Sequence, residues 1–255
     1  MPPEFAKLEI APAYKRVYDA VEREIISGRL RSGELLPTEA TLAQQFGLNR
    51  STIREGIRSL EQSGLVQREG GKRLRVSLPH YQDLASRASR AMIMHQITFR
   101  ELWETSMALE TVTVEYAADR ITRPQLQALE KNVGDMERAK GDDEEFIRLD
   151  IAFHNILADA TNNRALLLAR EPVILLFFPA GKAILPRLKT HQRVIDAHRI
   201  IATALRDGNR QEAIDWMRRH MADFKRAYAA AGMDMERPVD SSEALAPEGR
   251  WSIGA

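Results

Sequence analysis

The sequence predicts a mainly α protein: a small N-terminal head of three helices closed by a β-hairpin, then an all-helical bundle. Three observations carry this. Apolar residues recur at three- and four-residue intervals from Tyr14 almost to Gly232. The strand-like runs, Leu65 to Arg68 and Arg73 to Val76, flank a Gly70-Gly71 turn. With 255 residues, 44 % of them hydrophobic and 29 % charged, the chain can build one large or two ordinary domains.

In the head, Tyr14, Val17, Tyr18, Val21 and Ile25 mark a first helix that follows Pro12 and ends near Ser27-Gly28. A turn-rich connector, Leu30 to Pro37, leads to Thr38, which can cap a second helix with Leu42, Ala43 and Phe46 on its apolar face. Gly47 ends it, and Leu48-Asn49-Arg50-Ser51 opens a third helix with Ile53, Ile57 and Leu60 inward, stopped by Ser63-Gly64. Helix, helix, turn, helix and basic hairpin make a winged helix-turn-helix plan. A helix fits the major groove, and a basic hairpin can lie along the neighbouring phosphates.

Charge and composition sharpen the picture. The net charge is only +1, but residues 1–76 carry 13 Lys and Arg against 10 Asp and Glu, leaving −2 for the remainder. Arg50, Arg54 and Arg58 form one outward stripe on the third helix, beside Ser51 and Thr52. That suits phosphate and base-edge contacts, although a plain solvated face has the same spacing. The absence of Cys excludes disulfide frameworks, thiolate metal sites and cysteine nucleophiles. The best apolar run, Pro172 to Ala180, is far below the roughly 18–20 residues of a membrane helix, so no membrane partner is expected. Met1 to Ile10 is charged and lacks an apolar core, so it does not read as a signal peptide, and a cytoplasmic location is expected.

The stretch IISGRLRSGELLPTEATLAQQFGLNRSTIREGIRSLEQSGLV resembles the DNA-binding domain of the GntR family of bacterial transcription regulators. The shared features are the Gly-x-Leu-x-x-Gly-x-x-Leu-Pro-x-Glu connector, the Arg-x-x-x-Arg-Glu of the third helix and the closing Gly-Leu-Val. The resemblance implies DNA contacts from Arg50, Ser51, Thr52 and Arg54, and from Gly71 and Lys72 at the wing tip. One departure stands out: relatives often carry Arg directly after Pro-x-Glu, where this chain has Ala40.

Beyond a linker around Pro79 the pattern is helical, and three helices turn polar residues into their apolar stripes. Asp150 and His154, spaced i, i+4, share a face with Ile147, Ile151 and Leu157. His198 lies with Val194, Ile201 and Leu205, and His220 with Ala213, Trp216, Phe224 and Ala227. An unpaired buried imidazole or carboxylate costs several kcal/mol. Either each histidine is satisfied separately by a core carbonyl, or the four residues converge on one metal in a bundle interior. His191 stands seven residues before His198 and is expected at an exposed helix end; His80 and His95 are expected at the surface.

The segments FRELWETSMALE, LDIAFHNILADATNN and DAHRIIATALRDGNRQEAIDWMRRHM resemble the FCD effector domain of FadR-like GntR regulators. That resemblance implies a divalent ion held by Asp150, His154, His198 and His220, with a small carboxylate or sugar acid as effector. Three imidazoles and one carboxylate suit Zn²⁺ first, with Ni²⁺, Mn²⁺ or Fe²⁺ as competitors. Many relatives place Arg where this chain has Ser106, which implies either that Lys182 or Arg187 supplies the missing cation or that the ligand differs. The expected layout is a winged helix-turn-helix at 8–78, a linker at 79–84, the effector bundle at 85–231 and a loose tail at 232–255. The expected function is that of a homodimeric, ligand-responsive regulator, most simply a repressor, on a double-stranded DNA operator. A pure metal sensor and a DNA-tethered metal-dependent enzyme are the alternatives.

Overall fold

In a computed structural model, the described residues are 11–70, 73–78, 81–188 and 191–239, without the side chains of 81–83, 178–179, 182–183 and 185–188. The chain divides into two compact units, residues 1–80 and 81–255.

The first unit contains α1 (Ala13–Ile26), α2 (Glu39–Phe46), α3 (Arg50–Gln62), β1 (Val66–Glu69) and β2 (Arg73–Val76). Each boundary has a local cause. Thr38 accepts a hydrogen bond from the Thr41 amide at the start of α2, and Asn49 accepts one from the Thr52 amide at the start of α3. Between them Gly47 takes φ 65°, a left-handed turn that costs a residue without Cβ nothing, and this sets the angle between the two helices. Val17, Val21, Ile53, Ile57, Leu60, Val66 and Leu74 fill one core. Phe46, expected inside, is 39 % exposed. The strands pair antiparallel, Val66 opposite Val76 and Glu69 opposite Arg73. The Gly33–Leu36 connector is more than a turn: its backbone bonds to Leu74 and Val76, so it lies along β2 as a further extended edge.

The second unit contains α4 (Tyr81–Met94), α5 (Phe99–Arg120), α6 (Arg123–Arg138), α7 (Asp143–Ala160), α8 (Arg164–Leu188), α9 (His191–Arg206) and α10 (Arg210–Ala230). The helix over Tyr81–Leu84 replaces most of the expected linker. A capping box of Thr98 and Glu101 opens α5, and Asp142 caps α7 ahead of three acidic residues suited to the positive end of its dipole. Val114, Leu129, Met136, Phe153, Leu157, Ile195, Ile201 and Met217 bring α5, α6, α7, α9 and α10 around one core. A second core, where Phe99 stacks on Tyr228 at 3.6 Å, joins α5, α8 and α10.

The stretch after Gly232 corrects the expected tail. Residues 233–239 return along the start of α5: the Arg100 amide donates to Met235, the Phe99 amide to Arg237, and the Val239 amide to Ile97. Met233, Met235 and Val239 pack on the Phe99 core. The polar composition hid three apolar anchors spaced to reach that surface.

Candidate metal centre and nucleic-acid interface

In the first unit, the Asn49 cap leaves the α3 start open, with Arg50, Ser51 and Arg54 exposed and Thr52 half-buried. Free amides and the helix dipole make this end attractive to a phosphate. The Ser51 hydroxyl donates to Asn49 Oδ1 at 2.7 Å. Glu39 collects two arginines: Arg68 Nη2 donates at 3.0 Å and Arg54 Nε stands 3.4 Å away. Those cations, Arg68 first, hold the Glu39 carboxyl below its usual range against a partial burial penalty. Glu39 therefore ties α2 to the exposed helix and to β1. Gly71 and Lys72 lie outside the described residues.

In the second unit, α7, α9 and α10 bring Asp150, His154, His198 and His220 together, with one ligand atom from each within 4.8 Å of all the others. His154 Nε2 and His198 Nε2 stand 3.3 and 3.4 Å from His220 Nε2, and His198 Nε2 stands 3.4 Å from Asp150 Oδ1. Nitrogens at zinc-bond lengths and tetrahedral angles are about 3.3 Å apart, so the three short separations fit a shared ion, and the wider ones, up to 4.8 Å, would have to close for all four donors to bind it. The tautomers are compatible with such an ion. His154 Nδ1 faces Glu110 Oε2 at 2.8 Å and His198 Nδ1 faces Met136 Sδ at 3.4 Å, which places the ring protons on Nδ1. Both Nε2 atoms then face His220 Nε2, as acceptors of its proton or as donors to a shared cation.

Burial shapes the electrostatics. It pushes His220 down to about 3, helped by His154, and pushes His198 well down as well, aided by His220 and His154. Burial also raises Asp150, as does Glu110, while His154 opposes; the side chain is a third exposed, but its Oδ1 is buried without a hydrogen-bond partner. His154 is raised because Glu110 outweighs its burial. For Glu110 burial again raises, but Arg170 and then His154 overcome it and hold the carboxyl down at about 2.

Glu110 and Arg170 were missed in the sequence. Arg170 Nε donates to Glu110 Oε1 at 2.5 Å and Nη1 to Asn155 Oδ1 at 2.8 Å, with Glu110 1 % and Arg170 2 % exposed. The available signal was an Arg inside the apolar run of α8, and a Glu four residues after Ser106. Ser106 is buried and lines a small cavity of about 60 Å³ together with Glu110, Asp150, His154 and Arg170. Thus a cation does border Ser106, but it comes from Arg170. The side chains of the expected substitutes, Lys182 and Arg187, lie outside the described residues. His191 is corrected too: it starts α9 only 13 % exposed, facing Asp143 Oδ1 at 2.8 Å, and is not one of the four clustered residues. His95 is exposed, and His80 lies outside the described residues.

Comparison with known proteins settles the family. Residues 13–76 match the family described as bacterial regulatory proteins, gntR family, and residues 101–223 match the FCD domain. The chain belongs to the gntR family. Its effector half is an FCD domain, as the sequence predicted. The chain is 29 % identical over 219 residues to the HTH-type transcriptional repressor NanR of Cronobacter sakazakii, covering 82 % of this chain and 84 % of that protein. It is 26 % identical over 235 residues to the NanR of Salmonella typhimurium, covering 88 % and 89 %. The solved Streptococcus agalactiae GntR structure is 28 % identical with a TM-score of 0.57, covering 84 % of this chain and 99 % of that one. This gntR-family protein is therefore a DNA-binding transcription regulator and not an enzyme. Among the described residues no helix is long and apolar enough to cross a membrane.

Proposed function

We propose that this regulator is a repressor that binds a two-fold operator as a homodimer and is released by a small organic acid received at a divalent metal. Operator contact is assigned to Arg50, Ser51, Thr52 and Arg54, with Gly71 and Lys72 on the wing, all within a head of residues 8–78. A single head offers few base contacts, so two are needed for a selective site. The metal is assigned to Asp150, His154, His198 and His220, with Zn²⁺ first and Ni²⁺, Mn²⁺ or Fe²⁺ competing by availability. The observation that carries the reading is the convergence of these four donors from three helices beside a cavity, in a chain whose other unit is a winged helix-turn-helix.

Within the site, Glu110 fixes the His154 tautomer and Met136 that of His198, so the donor set is preorganised. Bound there, a divalent ion supplies open coordination positions to a carboxylate. The repressor role follows the named NanR relatives.

The test is operator binding by fluorescence anisotropy, on duplexes the protein itself selects from a random pool, with chelator, with Zn²⁺ and with an acid panel. Weaker binding only when metal and acid are both present is expected. Release by Zn²⁺ alone would turn the reading into a metal sensor. His154→Ala with His198→Ala should remove the metal, and a fully loaded double variant overturns the assignment.

A further inference from the structure

The small cavity beside Ser106 shares part of its wall with a larger one. A chamber of about 340 Å³ shares Ile147, Asp150, Gly181, His220 and Phe224 with the 60 Å³ pocket. The two chambers differ in chemistry. The inner one carries three buried atoms without hydrogen-bond partners: Ser106 Oγ, Asp150 Oδ1 and Arg170 Nη2. The outer one is walled by Phe146, Ile147, Ile184, Val194, Phe224 and Ala227. Its polar side chains among the described residues are Asp150 and His220, which belong to the metal cluster, and Arg193, Asp223 and Arg226. Those last three are engaged with one another: Arg193 Nε lies 2.7 Å from Asp223 Oδ2, and Arg226 pairs with the same carboxylate.

We propose that the effector is a monocarboxylic acid with an apolar body, an alkyl or aryl acid and not a polyhydroxylated sugar acid. The proposal rests on the metal-and-acid reading given above. The head of such an acid meets the polar inner chamber, and its body fills the outer one. Hydroxyl groups in that outer chamber would lose water and gain few partners, a net penalty for each. Charge selects the head. In the inner chamber, Asp150 with three neutral imidazoles and a divalent ion leaves one positive charge, since Glu110 and Arg170 cancel. Arg193 and Arg226 exceed Asp223 by one at the outer chamber, but both are about two-thirds exposed and screened by water. A monoanion neutralises it; a dianion leaves a buried negative charge.

Gly181 provides a variant suited to the test. It lies within α8, lines both chambers, and a Cβ placed there meets no atom within 4 Å. Gly181→Leu should fold at least as well as the parent, because glycine is a poor helix former, while its side chain occupies the space the body needs. The experiment is isothermal titration of the Zn²⁺-loaded full chain with acetate, butyrate, hexanoate, octanoate, gluconate and glucuronate, with metal content measured alongside.

Affinity is expected to rise about fourfold for each buried methylene until the chamber is filled. Gluconate and glucuronate should bind no tighter than acetate. In Gly181→Leu the metal content should be retained, and the gain of octanoate over acetate lost. Sugar acids binding tighter than hexanoate would overturn the apolar-body proposal while leaving the metal-and-acid reading standing. An undiminished octanoate gain in Gly181→Leu would overturn the placement of the body. Failure of every acid to bind the metal-loaded protein would sink both readings.

Discussion

Glu110 concentrates the chemistry of the effector unit. Its two oxygens serve different partners, His154 and Arg170, and all three are buried. Glu110→Gln keeps the shape but leaves the Arg170 charge without its counter-ion, and removing one partner of a buried pair costs about 3–5 kcal/mol. It also frees the His154 ring, and loss of such an outer partner lowers metal affinity about 10–100-fold. The two effects are separable. In Glu110→Gln with Arg170→Met the stranded charge is gone, so denaturant melts should recover most of the stability. Metal titrations should recover none of the affinity. Equal recovery of both would mean that Glu110 acts on the metal only through the fold. The same scale explains what the sequence could reveal. Asp150 and His154 were legible because they share a helix face, and His198 and His220 because each interrupts an apolar stripe. The pairing of Glu110 with Arg170 spans 60 residues and two helices, and no local pattern carries it.

On the DNA side, Arg54 shares Glu39 with Arg68, so it is already partly neutralised before it meets a phosphate or base. Arg54→Ala should still weaken operator binding by about 1–3 kcal/mol. If Arg54 touches phosphate, the slope of log affinity against log salt should also fall by about one unit. Unchanged affinity across the salt series removes Arg54 from the interface.

The elements of the head could be read almost whole, because caps, glycine stops and apolar spacing agree at each boundary. What the pattern could not convey was how closely the helices approach. Gly56 on α3 faces α1, and a Cβ there would stand 2.8 Å from Val17 Cγ1 and 3.0 Å from the Tyr14 carbonyl. Gly56→Ala gains up to about 1 kcal/mol of helix propensity. Overpacking costs about 1–3 kcal/mol, and here one of the clashing atoms is rigid backbone. A net loss of about 1–2 kcal/mol is expected. Calorimetry of the full chain should show it in the unfolding of residues 1–80, because Gly56 packs on Val17 and Tyr14 within that unit. The return of residues 233–239 along α5 was illegible for the opposite reason. Its backbone bonds with Ile97, Phe99 and Arg100 have no periodic signature, and Pro, Asp and Glu dominate the surrounding sequence.

At the scale of the molecule, two units with separate cores must exchange information if an acid in one is to govern operator binding by the other. A ligand shifts such an equilibrium only by its differential affinity for the two states. If the acid weakens operator binding by a given factor, the operator must weaken acid binding by the same factor, because both describe one coupling free energy. Couplings of about 1–3 kcal/mol correspond to about 5–150-fold at a single site. A change from nearly full to nearly empty operator needs about 10⁴-fold. One acid per operator complex is therefore insufficient, whereas two equivalent sites in a homodimer multiply their factors and come within range. Light scattering should give a dimer at working concentrations. Octanoate titrated into the Zn²⁺-loaded protein, with and without saturating operator duplex, should bind two equivalents per dimer. The product of its two weakening factors should equal the full loss of operator affinity measured by anisotropy at saturating octanoate. A monomer, or a product that departs from the operator loss, would mean that the two units are not coupled through one shared equilibrium.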